Sequence, residues 1–359
     1  MKILKLMVLS FAIIFFGSLI KTNKIYAQSL QIKIHRVIPE LMKKHRVPGL
    51  AIAVIDKEQV VLKKGYGYSD IKNQVLATSE TGFNIGSVSK MFTAWGIMTL
   101  VESGYIDLDV PVEQYLYRWE IPKSDFDKTK VTVRNLLSHT AGFSVHGYPG
   151  FPPDVPLPSL EASLNGENGT IRANEPVELI YEPDTDFKYS GGGYTILQLL
   201  IEEVSGISFE EYMQKAVFKP LAMENTNFTI SSDILKSSAK PYDENEKEIY
   251  LEHFTAKAAA GLHTTIDDLV LFTKDIIEEN QILTTKSISY LMTPTELSDG
   301  QYGSGFRILS MGGFTVVGHT GSNDGWESAF FIHQPTESAL IMLTNSSNGK
   351  DLLISILRE

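Results

Sequence analysis

The chain of 359 residues contains no cysteine. That excludes disulfides, thiolate–metal sites, a lipid-modified cysteine and a cysteine nucleophile together. It also lacks a His-Glu-x-x-His element, and His139 and His146 have no third ligand at useful spacing, so no metal is expected. There is no Gly-x-Ser-x-Gly elbow, which argues against the α/β-hydrolase arrangement. Positive charge is scarce: 32 Lys and Arg stand against 43 Asp and Glu, a formal net charge of −11. Such a surface repels nucleic acid and anionic lipid, so no nucleic-acid partner is expected. The only long apolar run, Leu6 to Ile20, follows Lys2 and Lys5 and leads to Ile25-Tyr26-Ala27. This is the layout of a secretory signal over residues 1–27, with residues 28–359 as one mature domain, secreted or held in the cell envelope. Kept uncleaved, the same segment would be the chain's membrane contact. Its removal takes four lysines and no acid, so the net charge becomes −11 − 4 = −15.

What remains has strand-rich ends around a helical middle. Apolar residues at Leu30, Ile34, Val37, Ile38 and Leu41 predict a helix from Ser29 to Arg46. LAIAVID and VVLKKGYGYSD read as strands joined at Lys57-Glu58-Gln59. Helices are expected in the stretch after Ser87 up to Gly104, in VTVRNLLSH with Thr132 as cap, and in YSGGGYTILQLLIEEVSG up to Gly206. SFEEYMQKAVFKPL and TTIDDLVLFTKDIIEEN continue the series. Residues 141–169 read as a loop rimming a site, since Pro149, Pro152, Pro153, Pro156 and Pro158 exclude helix and central strand. The strands GFRILSM, GFTVVGHTG, SAFFIHQ and SALIMLTN precede a closing helix, DLLISILRE. The economical fold is α/β (α+β). One antiparallel sheet is built from both chain ends and flanked by helices, with a helical lobe at roughly residues 85–270 inserted between its halves.

Ser-x-x-Lys occurs at Ser18, Ser69, Ser87, Ser237 and Ser347, so the spacing alone decides nothing. Only Ser87 opens a long apolar helix. Residues i and i+3 share a helix face, which sets the Lys90 amine beside the Ser87 hydroxyl. A helix N-terminus favours developing negative charge. Apolar surroundings disfavour a charged lysine and make it a better base. A cap at Ser87 and a snorkelling lysine are the plainer alternative. Tyr189-Ser190-Gly191 lies at a glycine-rich helix start, and His319-Thr320-Gly321-Ser322 follows the strand FTVV. Each alone reads as packing, cap or turn, although small polar residues at a strand end also suit an extended substrate.

In this order and combination the three segments resemble the serine β-lactamase and penicillin-binding protein superfamily. The match is closest to its class C-like branch of D-alanyl-D-alanine carboxypeptidases, D-amino-acid peptidases and β-lactamase-fold esterases. The resemblance runs from about Pro48 to Asn345 and includes VRNLLSHTAGF, EPDTDFKYSGGGYTILQLLIEEVSG and GHTGSNDGW. It implies a β-lactamase-like fold and acylation of Ser87, with Lys90 and Tyr189 moving the proton. The backbone N–H groups of Ser87 and Ser322 would form the oxyanion hole, and His319 and Thr320, beside Gly321, would meet a substrate carboxylate. No cofactor is implied. The implied partner is a small peptide, amide or ester, with peptidoglycan D-amino-acid peptides leading because an exported member would meet them. Two departures bear on substrate: His319 stands where many relatives carry lysine, and Gly191 where many carry an asparagine that holds the acyl side chain. Both weaken the case for an efficient β-lactamase and leave peptidase or esterase activity open. His139 reads as structural. The rival from another class is an inactive envelope-binding or scaffold protein that keeps the fold.

Overall fold

A computed structural model describes residues 28–167 and 175–359. The expected leader lies outside the described residues. Helix α1 covers residues 28–45 and lays Ile38 and Met42 on the sheet. Strands β1 (Gly49–Asp56) and β2 (Gln59–Asp70) form a hairpin through Lys57 and Glu58, both at positive φ. That two-residue turn matches the strand twist. Strand β3 (Val75–Leu76) pairs with β2, while β4 (Phe83–Asn84) pairs with β5 (His263–Thr264) in a separate small sheet. The helical middle comprises α2 (Ser89–Glu102), α3 (Val133–Leu137), α4 (Leu160–Leu164), α5 (Gly191–Ser205) and α6 (Phe209–Met213). It continues with α7 (Ser232–Ser237), α8 (Lys257–Ala260), α9 (Ile266–Lys274) and α10 (Thr285–Met292). Strands β6 (Arg307–Met311), β7 (Phe314–Asn323), β8 (Trp326–His333) and β9 (Ser338–Thr344) then lead to α11 (Gly349–Arg358).

The large sheet is antiparallel in the order β3-β2-β1-β9-β8-β7-β6. The two ends of the chain therefore meet at β1 and β9, with Leu50 opposite Thr344 and Ile55 opposite Ala339. The period of two along β1 divides the core. Ala51, Ala53 and Ile55 face the helical lobe, and Leu50 and Ile52 pack with α1 and α11.

Local chemistry sets the helix starts. Thr132 and Asn135 make a reciprocal capping box on α3, and the Thr265 side chain accepts from Asp268 N–H at the start of α9. Three sequence expectations are refined. The α-helix proper begins at Ser89, and Ser87 sits in a 3₁₀ turn, Gly86–Val88, that leads into it. The proline-rich segment contains one short helix, α4, which starts just past Pro158 because the Ser159 hydroxyl caps it. His319-Thr320-Gly321 lies within β7 rather than after a strand, because pairing with β8 runs on to Asn323 opposite Trp326.

Candidate active site

The turn bearing Ser87 is fixed by backbone packing that only glycine allows. Gly86 has φ +51, and a Cβ there would stand 2.6 Å from the Ser322 nitrogen. A Cβ on Gly321 would collide with the Ile85 carbonyl. Two bare backbones thus meet, and the Ser322 N–H lies one residue from Ser87. Asn84 ties the arrangement together: its Oδ1 accepts from Gly86 N–H at 2.9 Å and from the Asn323 amide at 2.6 Å.

Lys90, on the first turn of α2, is 1 % exposed. Its Nζ donates to Ser87 Oγ at 3.3 Å and to the Ala259 carbonyl at 2.7 Å. That carbonyl belongs to α8, whose Ala258 N–H is held by Gln198 Oε1 at 3.0 Å. Burial lowers the pKa of the Lys90 amine from the ordinary lysine value; the nearby Tyr189 hydroxyl opposes the shift and Arg307 adds to it. The Tyr189 ring lies 4.8 Å from Nζ. Its hydroxyl is buried, lies near the Lys90 amine, and has no well-formed hydrogen bond among the described residues. A buried amine whose charged form is disfavoured, beside a serine hydroxyl and with a phenol close by, is the arrangement of an activated nucleophile.

The sheet supplies the other wall. Strand β6 pairs with β7 only as far as Arg307 opposite Gly318, so the edge of β7 from Thr320 onward is open toward the cleft. Thr320 and Ser322 are exposed there. His319 is not: it is 1 % exposed, its Nδ1 meets the Thr320 carbonyl at 2.6 Å and its Nε2 meets the Tyr302 hydroxyl at 3.2 Å. Burial, with Lys90 and Arg307 nearby, holds its pKa well below the usual histidine value, so the ring is neutral. The positive charge in the cleft comes instead from Arg307, whose guanidinium stands 5.6 Å from the Tyr189 ring and whose buried Nε has no partner. Glu327, opposite Ser322 on β8, accepts from the Ser322 hydroxyl at 2.6 Å. Together these residues line a cleft of about 540 Å³.

At Gly191 the space that a side chain would take is filled by the loop before it. Gly191 N–H donates to the His146 carbonyl at 3.0 Å, and a Cβ on Gly191 would stand 3.0 Å from that oxygen. The His146 ring lies 5.0 Å from that of Tyr189, in the wall of the cleft.

The structure brings Ser87, Lys90, Tyr189, His319, Thr320, Gly321 and Ser322 to this one cleft. Sequence reasoning missed Arg307, Ala259, His146 and Glu327. An arginine opening a short strand and a carbonyl in an alanine run carry no local signal of their partners.

The residues also have relatives. A family model described as Beta-lactamase matches residues 34–355. The chain belongs to the beta-lactamase family. Protein flp of Staphylococcus aureus (strain N315) is 26% identical over 324 residues, 88% of this chain and 63% of that protein. The chain thus spans less than two thirds of that relative. Penicillin-binding protein 4* of Bacillus subtilis (strain 168) is 24% identical over 338 residues, 89% of this chain and 72% of that protein. An octameric penicillin-binding protein homologue from Pyrococcus abyssi superposes with a TM-score of 0.74 at 31% identity, covering 88% of this chain and 73% of that one. SurE superposes with a TM-score of 0.74 at 24% identity, a likeness of fold, over 92% of this chain and 75% of that one. The family is one of serine hydrolases, and the class C-like fold expected from the sequence is the fold observed.

Proposed function

We propose that the protein is an exported peptidase that cleaves D-amino-acid peptides of the cell wall through an acyl-enzyme on Ser87. The observation that carries the reading is the Lys90 amine, 1 % exposed and 3.3 Å from Ser87 Oγ. Ser87 Oγ attacks the scissile carbonyl carbon while its proton passes to Lys90. Tyr189 and Lys90 deliver that proton to the departing amine as the carbon–nitrogen bond breaks. Water then attacks the ester, the carboxylic acid leaves, and the proton returns to Ser87. The backbone N–H groups of Ser87 and Ser322 hold the oxyanion. Arg307 supports the choice of a peptide ending in a free carboxylate, because its guanidinium lines the cleft and its Nε has no partner among the described residues. The leader-like layout of residues 1–27 supports action outside the cytoplasm on peptidoglycan peptides.

The alternative activity is ester hydrolysis, favoured by the filled space at Gly191, which leaves less room for a large acyl side chain. The test is intact mass of the 28–359 protein after incubation with a penicillin, followed over time beside Ser87→Ala. An adduct on the wild type alone supports the peptidase reading. Intact penicillin, no adduct and fast turnover of p-nitrophenyl acetate would favour the esterase. An unreactive Ser87 in every assay would leave the scaffold protein.

A further inference from the structure

His139 is 2 % exposed and stands behind Tyr189, away from Ser87. Its backbone φ is +59, a left-handed conformation uncommon outside glycine and tolerated by histidine better than by most residues. The reason is visible on three sides of Tyr189. The His139 carbonyl accepts from Lys188 N–H at 2.8 Å, its Nδ1 accepts from Ser190 N–H at 3.1 Å, and its ring lies 4.2 Å from the Tyr189 ring. The residues on either side of Tyr189 and the Tyr189 ring itself are therefore held by one side chain and its backbone. On its far side His139 Nε2 meets the Tyr302 hydroxyl at 3.1 Å, and that hydroxyl meets His319 Nε2 at 3.2 Å. His319 Nδ1 meets the Thr320 carbonyl at 2.6 Å.

Both ends of this series are fixed by groups that have no choice of role. Ser190 N–H can only donate, so His139 Nδ1 is bare and its proton sits on Nε2. The Thr320 carbonyl can only accept, so His319 carries its proton on Nδ1 and presents a bare Nε2. Tyr302 then takes one hydrogen bond from His139 and gives one to His319. A proton added to His319 Nε2 would face the Tyr302 oxygen with two donors and leave its own hydrogen unpaired, and one added to His139 Nδ1 would oppose the Ser190 N–H. Burial keeps both rings neutral in any case.

We infer that His139 and Tyr302 are positioning residues: the series Ser190 N–H → His139 → Tyr302 → His319 → Thr320 C=O runs in one direction and fixes the Tyr189 arm against the substrate-facing edge of β7. Part of this rests on reading Tyr189 as the proton carrier. The series makes no contact with the nucleophile, so it acts on the orientation of Tyr189 and Thr320 rather than on proton transfer itself.

The test combines a spectrum with kinetics. Long-range ¹H–¹⁵N spectra of the imidazole-labelled wild type should show His139 protonated on Nε2 and His319 on Nδ1, both neutral at pH 7. Tyr302→Phe removes one oxygen. It should leave both tautomers in place, since Ser190 N–H and the Thr320 carbonyl still fix them, but uncouple the two rings and slow acetylation of Ser87 by p-nitrophenyl acetate by about 10- to 100-fold, with the half-saturating ester concentration unchanged within about threefold. His139→Asn, a residue that tolerates positive φ, should slow acetylation similarly and guards against a Tyr302→Phe chain that does not fold. The opposite tautomer or a charged ring in the wild type overturns the inference, as does wild-type acetylation in a folded Tyr302→Phe protein. If the wild type is not acetylated by this ester, acylation by a penicillin becomes the rate compared, and an unreactive Ser87 with both reagents sinks the hydrolase reading while the tautomers still decide the series.

Discussion

The two sides of Tyr189 treat their polar groups in opposite ways. Toward His139, each named donor meets an acceptor, from Ser190 N–H to the Thr320 carbonyl. Toward Ser87, the Lys90 amine meets one hydroxyl and one carbonyl, and the Tyr189 hydroxyl and Arg307 Nε have no well-formed hydrogen bond among the described residues. A satisfied buried network is rigid, and an unsatisfied buried group is costly. The fold accepts that cost where a substrate would supply the missing partners and avoids it where a side chain must only be held. Stability is given up in the cleft beside Ser87 and recovered behind Tyr189.

Removing the costliest group should break the contrast most visibly. Lys90→Met keeps an unbranched chain in the same space without a charge. Acylation of Ser87 should fall by about 10³- to 10⁴-fold, read as burst kinetics with a p-nitrophenyl ester. Stability should move the other way. The folded pKa of Lys90 is lowered, so the unfolded chain binds more protons between that value and the ordinary lysine value of 10.5. Wild-type stability therefore rises with pH through that window. Lys90→Met should melt higher than wild type at pH 7, by a margin that shrinks as pH approaches the ordinary lysine range. In the wild type, the acid limb of kcat/KM should follow loss of the Lys90 proton and fall below that range.

Tyr189→Phe comes next. It deletes a hydroxyl with no well-formed hydrogen bond among the described residues, so the melting temperature should change little, while the acylation rate should drop by about 10²- to 10³-fold. A large loss of stability would mean that the hydroxyl is a structural group after all. Arg307→Gln separates binding from chemistry. Turnover of a D-alanyl peptide with a free carboxylate should fall by about 10- to 100-fold in kcat/KM, and that of p-nitrophenyl acetate should not. Equal losses on both substrates would remove Arg307 from carboxylate recognition.

The satisfied side was the harder one to read from sequence. Ser87, Lys90 and the β7 edge announce themselves through order and spacing along the chain, and the sheet built from both ends follows from strand patterning. His139 lies in an obvious segment, yet its role depends on Tyr302, 163 residues away, and on a tautomer fixed by a backbone N–H. Nothing local to Tyr302 marks it as the link between two histidines. Arg307 has the same difficulty, since its place beside Tyr189 depends on where β6 stops pairing with β7. The start of α2 shows a smaller gap of the same kind. The sequence predicts a helix opening at Ser87, but the close approach of Gly86 to Ser322 makes the first turn 3₁₀.

Glu327 tests whether the unsatisfied side extends beyond the reacting groups. Burial raises its pKa from 4.5 to about 7, opposed by the Ser322 hydroxyl and Lys350 and helped by Asp351. Below the unfolded value the carboxyl is protonated in both states and contributes no difference. Between 4.5 and about 7 the unfolded chain gives up the proton while the native state keeps it, so stability falls as pH rises, and the full penalty applies above about 7. Glu327→Gln imitates the protonated form. It should match wild type in denaturant midpoint near pH 4 and exceed it at pH 8, by at most about 3 kcal/mol. Activity should change by no more than about threefold, because the Ser322 N–H that faces Ser87 belongs to the backbone and the side chain can still accept from the Ser322 hydroxyl. A variant less stable than wild type at pH 8 would show that the ionised carboxylate is a needed partner. Glu327 would then belong with the satisfied groups, and the boundary between the two sides would run through Ser322 rather than Tyr189.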